Sequence, residues 1–303
     1  MSAEFVQLSL TPILTGLFAA MACALPGNFL VLRRQALIGD AISHVVLPGI
    51  VAAFLVTGTI AAVPMLIGAA LAAVLAAVMI ELIRRLGRIE PGAAMGVVFT
   101  TLFAAGVLVL EQADTSRVHL DVEHALYGSL ESLIWLDAEG WGSLADPAAL
   151  AGLPPELVRM ALAFALITLL TVLFWRPLAI STFDEGFAAT LGLPVRAIGL
   201  GLTVLAALAA VAAFDAVGSI LVIAMFICPP AAARLLTDNL ARQVAISLMI
   251  AALVSVAGYV LAGYGPLWFG RQDSLSAAGM IAALSGLALF AAALFRRGGR
   301  RAG

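Results

Sequence analysis

Asp40 and His44 stand four residues apart in Gly39-Asp40-Ala41-Ile42-Ser43-His44, the spacing that puts two side chains on one face of a helix about one turn from each other. A carboxylate oxygen and an imidazole nitrogen make half a site for a divalent metal, and they suit manganese, iron or zinc better than copper(I), which favours thiolates. Two ligands hold an ion weakly, as a transport site that must release its cargo requires. The same residues also admit a structural role. Asp40 would then pair with Arg33 or Arg34 or favour the positive end of a helix, and His44 would be hydrogen-bonded inside a bundle.

A second group, His119-Leu120-Asp121-Val122-Glu123-His124, offers four metal-capable side chains, with His119, Asp121 and His124 the first candidates. It matches no established ligand spacing, so a solvated polar loop is its alternative reading. A third segment, residues 181–194, carries docking chemistry. Thr182 followed three residues later by Glu185 makes a capping box, Asp184 adds charge to the first turn, and Gly192 with Pro194 supplies the stop. The signals predict a short helix from about Phe183 to Leu191, with Phe187 and Leu191 as knobs on one face. Signatures of hydrolases, zinc proteases and phosphate loops are absent from the sequence.

The elements that position these residues follow from where the charges fall. Of 303 residues 63% are apolar and 11% charged, against roughly 25% charged in soluble proteins. The charge-free runs are 5–32, 41–80, 91–110, 160–175, 197–214, 216–233, 243–270 and 274–295, 190 residues in all. A helix needs about 20 apolar residues to cross the hydrocarbon core. Most runs fit one span, and the longest fits two, broken near Gly58 and Pro64. The expected fold is all-α, a polytopic membrane helix bundle of eight or nine spans, forming one domain over residues 1–303. The count is eight if residues 36–57 only dip into the bilayer. An external turn is expected at Asp215, and Cys23 and Cys228 read as core residues rather than a disulfide.

All 16 basic residues are arginine. A chain without lysine has no Walker phosphate-loop lysine, so any ATP that drives it is hydrolysed by another chain. With nine alternating spans and the carboxyl terminus inside, 13 of the 16 arginines fall in cytoplasmic segments, as the positive-inside rule demands. The stretch 111–156 is then an external acidic loop, with nine carboxylates against the single Arg117. Such a field concentrates cations or steers a partner with a basic patch. Beside the charges, Tyr127, Leu130, Leu133, Ile134 and Trp135 have the spacing of a short helix lying at the membrane surface.

The run from Phe29 to Gly49 closely resembles the hallmark stretch of the permease subunit of bacterial ABC importers for manganese, zinc and iron. Ala94 to Phe99, Phe183 to Pro194, Ala216 to Pro229 and Ala233 to Thr237 are similar to further blocks of that family, in the same order. Pro229-Pro230 departs from the single proline of the pattern. The resemblance implies a multi-pass subunit of the inner membrane, embedded in lipid, and the arginine count puts its carboxyl terminus in the cytoplasm. It implies a second permease copy or paralogue, a cytoplasmic ABC ATPase dimer and an external metal-binding protein as partners, with no nucleic acid. By position Asp40 and His44 match the family's metal-path residues. Asp184, Glu185, Phe187, Leu191 and Gly192 fall in its ATPase-coupling helix. The metal is cargo, and no bound cofactor is implied. The stretch from His119 to Gly128 looks more like the manganese and iron branch than the zinc branch. A permease for metal chelates is the nearest alternative. A secondary cation transporter is another, and it would need charges inside several spans and no docking helix.

Overall fold

The computed structural model describes residues 2–58, 62–112, 128, 130–268, 270 and 275–299, with the backbone alone at a number of helical positions, Asp40, Ile42, Ser43, His44, Leu47 and Asp215 among them. Ten helices carry the architecture: α1 (Thr11–Leu32), α2 (Ile38–Thr57), α3 (Ala62–Gly87), α4 (Pro91–Gln112), α5 (Pro155–Leu173), α6 (Trp175–Phe183), α7 (Glu185–Thr190), α8 (Val195–Leu236), α9 (Leu240–Trp268) and α10 (Ala277–Gly299). Among the described residues there is no strand. In hydrocarbon a helix satisfies its own backbone, which is why long apolar runs take this form. By length and composition eight segments suffice to cross a membrane, and Pro48–Thr57 is a shorter apolar helix. That shorter piece is the second half of α2, whose backbone is helical throughout its 20 residues, about 30 Å at the helical rise.

Local signals set the breaks. Gly58 takes the left-handed conformation, with φ of 65°, and its N–H caps α2 on the Phe54 carbonyl. The sequence places a turn at Asp215, but the chain stays helical there and breaks at Gly218, where φ is 73° and ψ 169°. Only glycine takes up such a conformation without strain. The break divides α8 into two spans.

Among these helices, α8 is central. It packs against α1, α2, α3, α9 and α10, while α2, α3 and α4 form a group that meets the rest chiefly through α8. Small residues let the backbones approach. A Cβ at Gly49 would lie 2.6 Å from the Gly68 carbonyl oxygen, and one at Gly106 would lie 2.7 Å from Pro48 Cβ, so α2 is held close to both α3 and α4.

At the end of the bundle where α1 begins, residues 130–153 fold onto the amino-terminal helix. Trp135 is fully buried with Val6, Ala138 and Ala149, and its indole N–H donates to the Ala149 carbonyl at 2.8 Å. The Trp135 amide donates to the Gln7 carbonyl at 2.9 Å, and the Gln7 side chain returns a bond to the Ala138 carbonyl at 2.6 Å. Thr11 donates to the Leu133 carbonyl. Of the surface helix expected over Tyr127, Leu130, Leu133, Ile134 and Trp135, Tyr127 lies outside the described residues; the rest holds a short 3-10 turn over Leu130–Ser132, with Ile134 exposed and Leu130, Leu133 and Trp135 turned inward. The protein interior outcompetes the interface for these side chains.

Candidate metal-path and coupling site

Between α1 and α2 the chain makes a tight elbow. The Arg33 amide donates to the Phe29 carbonyl, Arg34 to Val31, Gln35 to Leu30 at 2.8 Å, and Ile38 to Gln35 at 3.0 Å. Arg34 occupies left-handed φ of 58°, uncommon for a residue with a Cβ, and this reverses the chain. The first turn of α2 thus has a fixed relation to the end of α1. Gly39 in that turn faces the fully buried Phe226 of α8: a Cβ there would lie 2.6 Å from Phe226 Cδ2. Asp40 and His44 follow on helical backbone, so they share one face of α2. Their side chains lie outside the described residues, as do all atoms of His119, Asp121 and His124. Among the described residues no three His, Cys, Asp or Glu side chains gather into a metal cage.

Arg33 is half-buried and bonded across the structure. Its guanidinium donates through Nη2 to Ser181 Oγ at 2.7 Å and through Nε to Thr182 Oγ1 at 3.1 Å. Burial lowers its pKa, Glu185 opposes that shift and Arg84 adds to it. A guanidinium remains charged at physiological pH regardless. Ser181 and Thr182 lie at the end of α6, directly before the segment expected to dock a partner.

That segment forms α7. Its N-cap is Asp184, whose Oδ1 accepts from the Phe187 amide at 2.8 Å. The expected cap was Thr182 with Glu185, but the Thr182 hydroxyl is engaged by Arg33, and the helix begins two residues later than Phe183. Gly192 ends the turn at φ of 76°, its amide bonded to the Ala189 carbonyl and that of Leu193 to Ala188. Phe183, Phe187 and Leu191 are each more than half exposed. Large apolar side chains on so short a helix, beside charged residues, make a protruding knob.

A cavity of about 450 Å³ lies beside the elbow, lined by Arg33, Ile38, Glu81, Arg84, Glu185 and Arg196 among others. It separates α3 from α7 and the start of α8. Arg84 and Glu81 pair at 2.9 Å within it. On the opposite side of the bundle, Gly128 lies so close to Val217 and Gly218 that no Cβ would fit, seating this point of the 111–156 stretch on the break in α8. The sequence gives no sign of the Arg33 bonds, since Arg33 reads there as one of the cytoplasmic arginines and as a partner for Asp40. The glycines at 27 and 39 were the available signal for Phe226, because each would clash with it if it bore a Cβ.

The model of a family described as ABC 3 transport family matches residues 5–137 and 149–296. The manganese transport system membrane protein MntD of Bacillus subtilis (strain 168) is 40% identical over 283 residues, 93% of this chain and 90% of MntD. The zinc transport system membrane protein TroD of Treponema pallidum (strain Nichols) is 36% identical over 250 residues, 82% of this chain and 66% of TroD. Among solved structures, PsaBC from Streptococcus pneumoniae in complex with Fab matches with a TM-score of 0.73 and 28% identity, over 96% of this chain and 95% of that one.

Proposed function

Because the chain belongs to the ABC 3 transport family, we propose that it is the permease subunit of an ATP-driven importer of a divalent transition-metal ion, manganese, iron or zinc. The observation that carries this reading is the 40% identity to a manganese transport membrane protein over 93% of the chain. The multi-pass helical bundle and the short capped helix with exposed apolar knobs are the parts such a subunit needs.

In this reading the arginine-rich end, with the carboxyl terminus, faces the cytoplasm of a bacterial inner membrane, since positive loops are retained there. Helix α7, with Asp184, Glu185, Phe187, Leu191 and Gly192, docks into a partner ATPase. ATP is hydrolysed on that partner, because this chain has no lysine for a phosphate loop. The acidic stretch 111–156 receives an external metal-binding protein, and His119, Asp121 and His124 contribute to cation collection there. A second permease, identical or paralogous, completes the path.

Asp40 and His44 supply the ligands at membrane depth, where ionisable groups mark ion pathways. One copy offers two ligands, and a two-fold dimer offers four. Closing of the ATPase pair moves α7, and the path opens alternately to either side. The test is uptake of radioactive manganese and zinc by the complete importer in liposomes. Asp40→Ala and His44→Ala should each abolish most uptake while the complex still assembles; full uptake by both variants would reject the metal role.

A further inference from the structure

Two bodies meet at the elbow between α1 and α2. The group α2–α4 joins the rest of the bundle chiefly through α8, and the 450 Å³ cavity leaves α3 separated from α7 by open space. Apolar packing therefore gives α7 little purchase on that group. Beside the cavity, where α1 ends against α6 and Phe29 meets Trp175 with ring centroids 5.8 Å apart, the guanidinium of Arg33 bonds Ser181 at 2.7 Å and Thr182 at 3.1 Å. Ser181 is fully buried and is itself anchored, donating to the Pro177 carbonyl at 2.6 Å.

Thr182 lies two residues before the α7 cap, and Arg33 lies seven before Asp40, with the intervening elbow held by its own backbone bonds. A guanidinium presents its donors in a rigid planar fork, so it fixes the direction of the two hydroxyls as well as their distance. On the far side, Gly39 abuts Phe226, which keeps the first turn of α2 from slipping along α8 when the elbow is pushed.

We propose that Arg33 is a positioning residue that ties the end of α6 to the elbow, so that displacement of α7 is passed to the turn carrying Asp40 and His44. The inference rests on the reading of α7 as the ATPase contact. Arg33 neither holds metal nor touches the ATPase; it sets how much of the α7 movement reaches α2.

The test uses the complete importer in liposomes and reads metal ions imported per ATP hydrolysed. Arg33→Met should leave assembly and binding-protein-stimulated hydrolysis in place. Ions per ATP should fall at least about tenfold, the scale set by losing a charge-assisted hydrogen bond from the docked arrangement. Arg33→Lys, which keeps charge without the fork, should fall between. The double variant Ser181→Ala with Thr182→Val removes the acceptors and leaves Arg33, and it should uncouple to a similar degree. It decides the matter if Arg33→Met does not assemble. Wild-type ions per ATP in Arg33→Met, or in the double variant when only that assembles, would overturn the proposal. Phe187→Glu separates the two readings: it should abolish stimulated hydrolysis, and if it does not, the docking role of α7 fails whatever Arg33 does.

Discussion

The ring of Phe226 covers Gly39 so closely that a Cβ added at residue 39 would lie 2.6 Å from Cδ2, 2.7 Å from Cγ and 3.1 Å from Cβ of the phenylalanine. Phe226 is fully buried, and its own carbonyl sits where a Cβ on Gly27 would go. One aromatic residue of α8 thus registers the end of α1 against the start of α2. Gly39→Ala forces the ring or the helix to shift, at a cost of about 1–3 kcal/mol for overpacking. The apparent Tm of the purified complex should drop, and Gly39→Ala with Phe226→Leu should recover part of it. No recovery in the double variant would show that the ring is not what the extra methyl meets.

Gly192 gives a prediction free of crowding. Its φ is 76°, and among the described residues a Cβ there would meet nothing within 4 Å, so substitution costs backbone energy alone. Gly192→Ala should cost about 1–2 kcal/mol, the penalty for an L-residue in the left-handed region, and Gly192→Asn less. Uptake by the liposome-embedded importer should fall in that order, with Asn nearer the natural chain. Equal loss in the two variants would mean that the absence of a side chain, rather than the backbone angle, is what position 192 requires.

The cap of α7 can be tested in the same assay. Asp184 accepts the Phe187 amide at 2.8 Å, so Asp184→Ala should lose about 1 kcal/mol of local helix stability while Asp184→Ser keeps most of it. Thr182→Ser, which keeps a hydroxyl for Arg33, should be close to neutral. Unchanged uptake in Asp184→Ala would show that the Asp184 cap is not what holds α7.

That contrast shows what the sequence could and could not convey. The spans were legible because charge is excluded from hydrocarbon, and Gly58 and Gly192 because only a left-handed residue ends those helices cheaply. Thr182 and Asp184 offer competing caps of similar local merit. The competition is settled by Arg33, 149 residues away from Thr182 in the chain, and no local signal contains that. Asp215 looks like the turn because it is polar, yet a left-handed, extended break needs glycine, and Gly218 was three residues on. Leu130 and Trp135 show amphipathic spacing whether they face lipid or a neighbouring helix, so periodicity alone could not tell burial under the amino-terminal helix from a membrane surface. The Asp40 to His44 spacing was fully visible, and the helix carries it unchanged.

A last prediction concerns the polar joint between α1 and α9. Gln243 donates through Nε2 to Asn28 Oδ1 at 3.2 Å, and Asn28 donates through Nδ2 to the Ala24 carbonyl at 2.7 Å. Both side chains are buried, and among the described residues Gln243 Oε1 accepts no hydrogen bond. The pair is therefore only partly satisfied. Asn28→Leu keeps the branched shape but strands the whole Gln243 amide, which should cost about 1–3 kcal/mol. Gln243→Leu removes the orphaned oxygen together with the donor to Asn28, so it should cost less. Replacing both by leucine leaves no unpaired group and should return stability near that of the natural chain. The double-mutant cycle should then give a coupling as large as the two single losses together, above about 1 kcal/mol and at the upper end of what hydrogen bonds between membrane helices supply. Thermal unfolding of the four proteins in one detergent supplies the cycle. Additive losses in the double variant would mean that the two amides act independently, each through its own shape, and that the bond between them contributes nothing to holding α9 against α1.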